Sequence, residues 1–263
     1  NPCIACNRYV KWESLLERSM MLGADYIATG HYARIEKLEN GRYALRTSKT
    51  SAKDQTYALY NLTQEQLSRT LMPVGDYEKD EIREIAKKFN LRVANKPDSQ
   101  EICFVSDNDY ASFVESEIGK KMPEGNFVTA DGEILGKHKG ILHYTIGQRK
   151  GLGIALGHPI FVTEIRPETN EVVIGENDDV FGYSLEANNL NAMAVESFFD
   201  GMRAIGKIRY SHKGEHCTIK VLGEDRIRID FDEKVRAITP GQAVVLYDET
   251  GLVLGGGTII GRC

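Results

Sequence analysis

The hydrophobic periodicity of the chain changes near Gly119, and this change limits the folds that the chain can adopt. Before Gly119, apolar residues recur with helical spacing in segments that alternate with short apolar strands, a pattern typical of an α/β fold. After Gly119, glycines multiply and no helical stripe of useful length follows. From about residue 184, short β segments follow one another at fairly even spacing, which favours a small β-barrel or sandwich.

This pattern predicts three domains: an α/β domain over residues 1–114, a small mixed connector over 115–183 and an all-β module over 184–263. The predicted helices carry the segments WESLLERSMML, TQEQLSRTL, EKDEIREIAKKF and DYASFVESEIG. Thr63 and Gln66 form a capping-box pattern, and Gly23 and Gly119 are helix stops. In the first of these segments, Trp12, Leu15 and Leu16 are expected on one apolar stripe. Asn40-Gly41 is expected to be a turn before the strand RYALR, and PIFVTEI and EVVIGE are expected to form a hairpin. In the last third, LNAMAVESF, RIRIDF and KVRAI are expected to be separate strands.

The net charge, the cysteine spacing and the lack of a long apolar run argue against a strongly basic nucleic-acid binder, a disulfide-rich secreted protein and a membrane-spanning protein. The net charge of -5 does not by itself indicate a nucleic-acid binder, although residues 134–163 contain no Asp or Glu and 203–220 contain five basic residues and one acid. These segments suit either a docked polyanion or an ordinary solvated surface. Five irregularly spaced cysteines without a secretory signal indicate a reducing cytoplasm, and no apolar run is long enough for a membrane span.

The motif Cys3-x-x-Cys6 allows four interpretations. A zinc site needs two further ligands, and neither a second CxxC nor a His-x-x-x-His motif accompanies the pair. A redox pair, two structural thiols and a single nucleophile all stay open. For the last of these, Cys6 is expected about one turn before a helix, where the helix dipole and the charges of Arg8 and Lys11 favour a thiolate.

A second candidate thiol, Cys103, follows a polar loop in the segment NKPDSQEICFVSD. Lys96, Asp98 and Ser99 of that loop could bind a substrate or a phosphate, whereas a lone cysteine in an apolar run is most often core filler. The segment HYTIGQRKGLGI places His143, Gln148, Arg149 and Lys150 among glycines, and KDQTYAL groups Lys53, Asp54 and Gln55. Both suit a phosphate backbone, and both are equally compatible with solvated loops.

Taken in order, these segments resemble one family over essentially the whole chain. The series NPCIACNRYVKW, LGADYIATGHYAR, KDQTYALYNL, KPDSQEICF, HYTIGQRKGLGI, KIRYSH and TPGQAVVLYD is similar to that of the bacterial tRNA-specific 2-thiouridylases, the MnmA/TrmU family. The resemblance implies part of a pyrophosphate-loop α/β domain of the adenine-nucleotide α-hydrolase type, a connector and a β-barrel. It also implies sulfur transfer to the wobble uridine of tRNA, with ATP as co-substrate.

The resemblance assigns roles to residues by position. A persulfide on Cys103 delivers sulfur to a uridine activated by adenylation, and Cys6 is the nucleophile that releases it, leaving a transient Cys6–Cys103 disulfide. Gly30 is expected to contact ATP. The implied tRNA contacts are Asn1, Pro2, Cys3, His31, Lys53, Asp54, Gln55, Arg209, Tyr210 and Gln242, the first three around the target base. The expected partners are tRNA and a cysteine desulfurase or sulfur-relay protein, with no metal and no membrane.

Two departures from the family pattern affect these expectations. Cys3 stands where many members carry an aspartate, and a thiol is a weaker acid-base group at neutral pH. The Ser-Gly-Gly-Val-Asp-Ser phosphate loop of the family does not occur in the chain, which opens at Asn1 without an initiator Met. We therefore expect a truncated enzyme that does not adenylate RNA alone. The alternatives are a non-catalytic tRNA-binding remnant and an acidic cytoplasmic α/β protein with unreactive thiols.

Overall fold

The computed structural model describes residues 1–92, 105 and 109–263. The chain forms two compact units. The first comprises Asn1–Asp98, Ser184–Glu233 and Pro240–Gly261, and the second comprises Ser99–Tyr183, Lys234–Thr239 and Arg262–Cys263.

The chain opens with one continuous helix made of α1 (Pro2–Ala5), a π-helical stretch (Cys6–Leu15) and α2 (Leu16–Met21), which we call the first helix. The Asn1 side-chain oxygen accepts hydrogen bonds from the first backbone amides, and Pro2 occupies the first helical position, where its missing N–H costs nothing. Trp12 and Leu16 are buried, but Leu15, expected on the same stripe, is 52% exposed. The wider π-helical turn changes the number of residues per turn and so rotates Leu15 outward.

Two small sheets follow in the first unit. β1 (Ile27–Ala28) pairs in parallel with β4 (Thr70–Leu71), as the α/β pattern predicts. β2 (Ala33–Lys37) and β3 (Tyr43–Thr47) form the antiparallel hairpin expected around Asn40-Gly41. Gly41 has a φ of +82°, and the Asn40 side chain accepts a hydrogen bond from the Arg42 amide, so both residues build the turn.

Two further helices form where the sequence predicts them, but the predicted apolar face of the second is not buried. α3 (Gln64–Ser68) begins with the predicted capping box of Thr63 and Gln66. α4 (Lys79–Lys88) forms as expected, yet none of its residues is buried. Within the described residues, its predicted apolar stripe therefore faces solvent in part, with Ile85 39% exposed. Short 3₁₀ turns at Ser51–Lys53 and Thr56–Leu59 connect β3 to α3.

Six strands close into a barrel in the order β10-β11-β12-β9-β14-β13. They are β9 (Phe181–Ala192), β10 (Arg203–Lys207), β11 (Glu215–Gly223), β12 (Arg226–Arg236), β13 (Ala243–Tyr247) and β14 (Val253–Arg262). The expectation of separate RIRIDF and KVRAI strands was wrong, since both lie in the single strand β12. The segment LNAMAVESF likewise supplies only the end of β9, followed by a turn. Barrel closure requires long strands, which local periodicity does not encode.

The segment between β2 and α3 is joined to the barrel region by hydrogen bonds that run in both directions. Arg42 Nε donates to the Met193 carbonyl at 2.8 Å, and Asn191 Nδ2 donates to the Tyr60 carbonyl at 2.7 Å. Gly256 lies against the Tyr60 ring, where an added Cβ would come within 2.8 Å of a ring carbon, so the glycines of β14 permit this close approach. These contacts join the helical piece and the barrel into one unit.

The second unit contains the remaining helix and one sheet. α5 (Tyr110–Ile118) begins at the Asp109 cap and ends at Gly119 in a left-handed conformation, as predicted. The sheet has the order β6-β5-β8-β7. Its strands are β5 (Gly125–Val128), β6 (Ile134–His138), β7 (Phe161–Arg166) and β8 (Glu171–Gly175), and the last two form the predicted hairpin. The core packs Phe127, Val162 and Val172 with Tyr144 and Leu152.

Candidate active site and nucleic-acid interface

Cys6 lies inside the first helix, not one turn before it as the sequence suggested. The helix starts earlier, at Pro2, and the Cys6 amide donates to backbone carbonyls of Pro2 and Cys3. The dipole argument for a thiolate weakens accordingly, because that effect is confined to the first turn. The Asn1-Pro2 pair is the signal that would have placed the start correctly. Cys6 is half-buried.

The residues before Cys6 connect the first helix to the barrel. Asn1 Nδ2 donates to Gln242 Oε1 at 3.2 Å, across 241 positions of sequence, and Asn1 Oδ1 accepts from the Cys3 amide at 3.1 Å. Cys3 is exposed and Pro2 is half-buried. Two predicted tRNA contacts from opposite ends of the chain, Asn1 and Gln242, therefore lie together.

His31 follows β1 and is held as a neutral imidazole. Lys11 Nζ lies 3.2 Å from His31 Nε2, and because an ammonium only donates, Nε2 accepts and the ring proton resides on Nδ1. Nδ1 lies 2.9 Å from Thr29 Oγ1, and the ring packs on Trp12 with 5.3 Å between centroids. Burial, with the Lys11 charge as the smaller cause, lowers the pKa of His31 to about 4. At neutral pH His31 can thus offer a stacking face, but not a charge, and both of its ring nitrogens already have hydrogen-bond partners.

Gly30 follows strand β1 of the parallel pair, where ligands bind at the carboxyl ends of α/β strands. A Cβ added at Gly30 meets no described atom within 4 Å, so the space beside it is open. Its position and this space fit a bound nucleotide that approaches the backbone closely. The ATP contact at Gly30 stays a prediction.

The Lys53-Asp54-Gln55 segment shapes its own loop. Asp54 accepts from the Ser48 amide at 2.9 Å and from the Thr56 hydroxyl at 2.5 Å. Gln55 Oε1 accepts from the Tyr32 amide at 2.9 Å, which fixes the chain next to His31. The polar ends of Asp54 and Gln55 therefore hold the loop in place, whereas Lys53 is exposed on the 3₁₀ turn.

Arg209 and Tyr210 approach this loop from the turn after β10. Tyr210 is 52% exposed and packs edge-on against Tyr57, with 6.4 Å between ring centroids. Burial of its hydroxyl and the nearby Asp54 carboxylate raise the pKa of Tyr210, while Lys53 acts in the opposite sense. The hydroxyl of Tyr57 donates to the Ala243 carbonyl at 2.8 Å, next to Gln242.

These contacts join most of the predicted contact residues into one strip across the first unit, which we call the contact strip. It comprises Asn1, Gln242, Tyr57, Tyr210, Lys53, Asp54, Gln55, Tyr32 and His31. Cys103, with Lys96, Asp98 and Ser99, lies outside the described residues, so its distance from Cys6 stays a prediction. In the described part of the chain, no three His, Cys, Asp or Glu side chains are grouped as a metal site requires.

Comparison with known proteins identifies the family. Three family models match: a tRNA methyl transferase HUP domain over residues 1–107, a tRNA methyl transferase PRC-barrel domain over 111–176 and an aminomethyltransferase β-barrel domain over 184–259. The chain is 68% identical to the tRNA-specific 2-thiouridylase MnmA of Lachnoclostridium phytofermentans over 99% of this chain and 72% of that protein. It is 56% identical to the tRNA-specific 2-thiouridylase MnmA of Clostridioides difficile over 98% of this chain and 72% of that protein.

The chain belongs to the tRNA-specific 2-thiouridylase family. The fold class predicted from the sequence, an α/β part followed by a connector and a β-barrel, is confirmed by the family domains and by the closed barrel. The domain boundaries stay a prediction, and the one placed after residue 114 falls inside α5. Among the described residues, no helix is both long and apolar enough to cross a bilayer.

The segment HYTIGQRKGLGI of this 2-thiouridylase-family chain lies in the second unit. Its polar side chains divide into a group that faces inward and a group that is exposed. His143 Nε2 lies 3.9 Å from Glu115 Oε1, and both side chains are largely buried. Gln148 accepts from the Thr145 amide and donates to the Lys150 carbonyl, each at 3.0 Å, so its amide closes the turn. The side chains of Arg149 and Lys150 are exposed, and only these two suit phosphate binding.

Sequence reasoning missed three members of the site. Tyr57 and Tyr32 connect the contact strip, and Lys11 fixes the tautomer of His31. Tyr57 lies two residues after Gln55, and Tyr32 lies next to His31. Only the long-range packing of these two tyrosines shows their role. Lys11 was noted for its charge near Cys6, and the printed sequence carries no signal for its contact with His31.

Proposed function

We propose that this chain takes part in the 2-thiolation of the wobble uridine of tRNA, as its family relationship suggests. The observation that carries the proposal is the contact strip. Residues from positions 1 to 242 that the family resemblance assigns to tRNA are linked by hydrogen bonds and ring contacts, in part through the buried Tyr57. Asn1, at one end of the strip, begins the helix that holds Cys6. The half-buried thiol of Cys6 supports its assignment as the nucleophile.

In the proposed reaction, ATP converts the 2-oxygen of uridine into an AMP leaving group. The terminal sulfur of a Cys103 persulfide then forms a bond with C2, and AMP departs with the oxygen. The Cys6 thiolate attacks the Cys103 sulfur, which breaks the sulfur–sulfur bond, leaves sulfur on the base and forms the Cys6–Cys103 disulfide. A reductant of the thiol class restores both cysteines. Gly30 is the residue proposed to approach ATP.

The described residues act mainly by binding and positioning. Neutral His31 presents its ring edge beside Trp12, and Lys53 and Arg209 supply positive charge for phosphates. Asp54 and Gln55 hold the loop that carries Lys53, so we propose that their contribution to tRNA binding is largely indirect. The target base leaves the anticodon stack at small cost because the loop is single-stranded.

Two assignments follow from chemistry alone. Cys3 replaces an acid-base aspartate of many family members, and we propose that it is dispensable for sulfur transfer. Because the Ser-Gly-Gly-Val-Asp-Ser loop does not occur in the 263 residues, we expect no AMP when this chain is mixed with ATP and tRNA. We further propose a cytoplasmic location, where a desulfurase or sulfur-relay partner keeps the thiols supplied.

Equilibrium binding to a tRNA transcript at several salt concentrations tests the proposal. Lys53→Ala and Arg209→Ala should each weaken binding about tenfold and lower the salt slope by about one, because each removes a phosphate contact. Lys220→Ala, an exposed lysine of β11 outside the contact strip, is the matched control and should bind like the wild type. Equal binding by all four proteins would overturn the proposed interface.

Mapping of sulfane sulfur separates the enzyme from the non-catalytic remnant. After treatment of Cys6→Ser, which lacks the thiol proposed to release the sulfur, with a cysteine desulfurase and L-cysteine, the enzyme interpretation predicts a persulfide on Cys103. A protein that binds tRNA but acquires no sulfane sulfur on Cys103 would be a binding remnant.

A further inference from the structure

A pocket of about 150 Å³ lies between the first helix and the barrel, and no predicted function uses it as a whole. The first helix contributes Ala5 and Arg8, the chain before α3 contributes Tyr60 and Asn61, and the barrel contributes Thr258. A cavity of roughly this volume holds one six-membered ring. All its lining residues belong to the first unit.

The lining includes a polar atom that needs a partner. Asn61 Oδ1 is buried and, among the described residues, accepts no hydrogen bond. A buried acceptor without a donor is unfavourable, and such groups in native proteins commonly mark a binding site or an internal water. Arg8 brings a positive charge to the same pocket, and burial raises the pKa of the Tyr60 hydroxyl, which stays protonated at neutral pH. The pocket thus offers an acceptor, a cation and a hydroxyl group.

The reactive thiol does not line the pocket. The first helix contributes Asn1, Ile4, Ala5, Arg8 and Tyr9 to the lining, and Cys6, in the described part of the chain, is not among the lining residues. A base seated in this pocket is therefore not the base that reacts with Cys6.

The rim of the pocket carries groups suited to RNA. Asn1, one of the residues proposed to surround the target base, borders the pocket and is bonded to Gln242. Tyr9 is 53% exposed at the opposite rim, with the Arg8 guanidinium 5.3 Å from its ring centroid. Exposed aromatic rings and arginine planes are the surfaces on which unpaired bases stack.

We propose that this pocket binds the nucleobase of a nucleotide that flanks the target uridine in the anticodon loop. The inference rests on the proposed function and deepens it. An N–H group on the base edge would satisfy Asn61 Oδ1, and Arg8 would lie next to the ring or its phosphate. Asn1 borders the pocket and is also one of the residues proposed to surround the target base, so occupancy of the pocket would hold the neighbouring uridine close to the first helix.

Binding of anticodon stem-loop RNAs tests this pairing of pocket and base. The probes are an intact stem-loop and two stem-loops with an abasic nucleotide on the 5′ or the 3′ side of the target uridine. The wild type should lose about tenfold in affinity for one abasic RNA, a typical value for a lost base contact. Asn61→Leu should bind intact RNA about tenfold more weakly and should no longer distinguish that abasic RNA from the intact one.

Two further variants keep the test decisive. Ala5→Leu fills the pocket from an exposed helix position with a good helix former, and should behave like Asn61→Leu even if the latter folds poorly. Asn126→Leu removes another buried, unpartnered amide oxygen, in β5, and should keep the wild-type preference.

Two results would overturn the inference. A wild type indifferent to both abasic positions would exclude a flanking-base pocket, as would an abasic penalty that persists in Asn61→Leu and Ala5→Leu. In both cases salt-dependent binding of the intact RNA would leave the proposed function standing. A wild type that binds no RNA at any salt concentration would overturn both proposals.

Discussion

Cys6 of the first helix and Cys217 of the β-barrel lie in opposite environments. Cys6 is half-buried on the helix, whereas Cys217 of β11 is completely buried. Burial raises the pKa of Cys217 to about 12, and its Sγ lies 3.4 Å from the Ala204 carbonyl oxygen. Because only a thiolate is a good nucleophile, the barrel thiol is core filler and the helix thiol is available for chemistry.

The same contrast holds for the apolar side chains. In the barrel, Ile219, Ile227 and Ile229 are completely buried, so the closed sheet stabilises itself. In the helical part, α4 leaves Ile85 and Phe89 exposed, the latter by 68%. The barrel strands thus carry a buried core, whereas α4 presents apolar side chains that are open to partners.

Alkylation rates should give the largest difference between the two regions. At neutral pH, iodoacetamide should modify Cys217 at least about 1,000-fold more slowly than an ordinary exposed thiol, because its thiolate is scarce and enclosed. Cys6 should react readily in the same sample. Peptide mapping by mass spectrometry measures both rates, and unfolding in guanidinium is the control that should expose Cys217. Rapid labelling of Cys217 in the folded protein would contradict the contrast.

Truncation of apolar side chains should give the next largest difference. Ile229→Ala should lower the free energy of unfolding by about 2–5 kcal/mol, because it leaves a cavity in the barrel core. Ile85→Ala is the matched control in α4 and should change it by no more than about 0.5 kcal/mol. Urea denaturation measures both values. Similar losses for the two variants would show that α4 is covered in solution.

The pH dependence of stability should give the smallest difference. The pKa of His31 is about 4 in the folded protein, against 6.5 for an ordinary histidine, so the unfolded chain binds the extra proton first. Its contribution to stability is complete above pH 6.5 and is lost as the pH falls toward 4, by about 2 kcal/mol. His31→Gln keeps an acceptor for Lys11 but cannot titrate, so its stability should vary less between pH 6.5 and 4.

Urea denaturation of the wild type and His31→Gln at matched pH values checks this prediction. An equal acid sensitivity in the two proteins would show that His31 already carries a charge in the folded state.

Local signals in the sequence predicted local structure well. The Thr63 capping box, the Asn40-Gly41 turn and the Gly119 helix stop are each encoded within a few residues, and all three form. The start of the first helix is also encoded, by Asn1 and Pro2, whereas the apolar stripe from Trp12 onward marks only the later part of the helix. The π-helical stretch breaks the regular spacing on which such stripes depend.

Long-range packing could not be predicted from these patterns. The contact of Asn1 with Gln242 and the docking of Tyr57 beside Tyr210 depend on how the helical piece meets the barrel. The resemblance to the family assigned these residues to one function by position alone, and the assignments stay predictions. Tyr57, Asn61 and Lys11 had no motif, and their roles emerge from burial and hydrogen bonding alone.

The central claim is that Cys6 attacks a persulfide carried by Cys103, and persulfide turnover in the isolated chain tests it most directly. The chain is loaded with sulfane sulfur by a desulfurase and L-cysteine, the donor is removed, and disulfides and released hydrosulfide are then quantified. Cys6→Ser removes the proposed nucleophile, and Cys3→Ser and Cys217→Ser are the matched controls.

The account predicts that the wild type and both controls form a Cys6–Cys103 disulfide with one hydrosulfide released per disulfide, whereas Cys6→Ser retains the Cys103 persulfide. Persistence of the persulfide in the wild type beside an alkylatable Cys6 would contradict the account, as would hydrosulfide release that does not depend on Cys6.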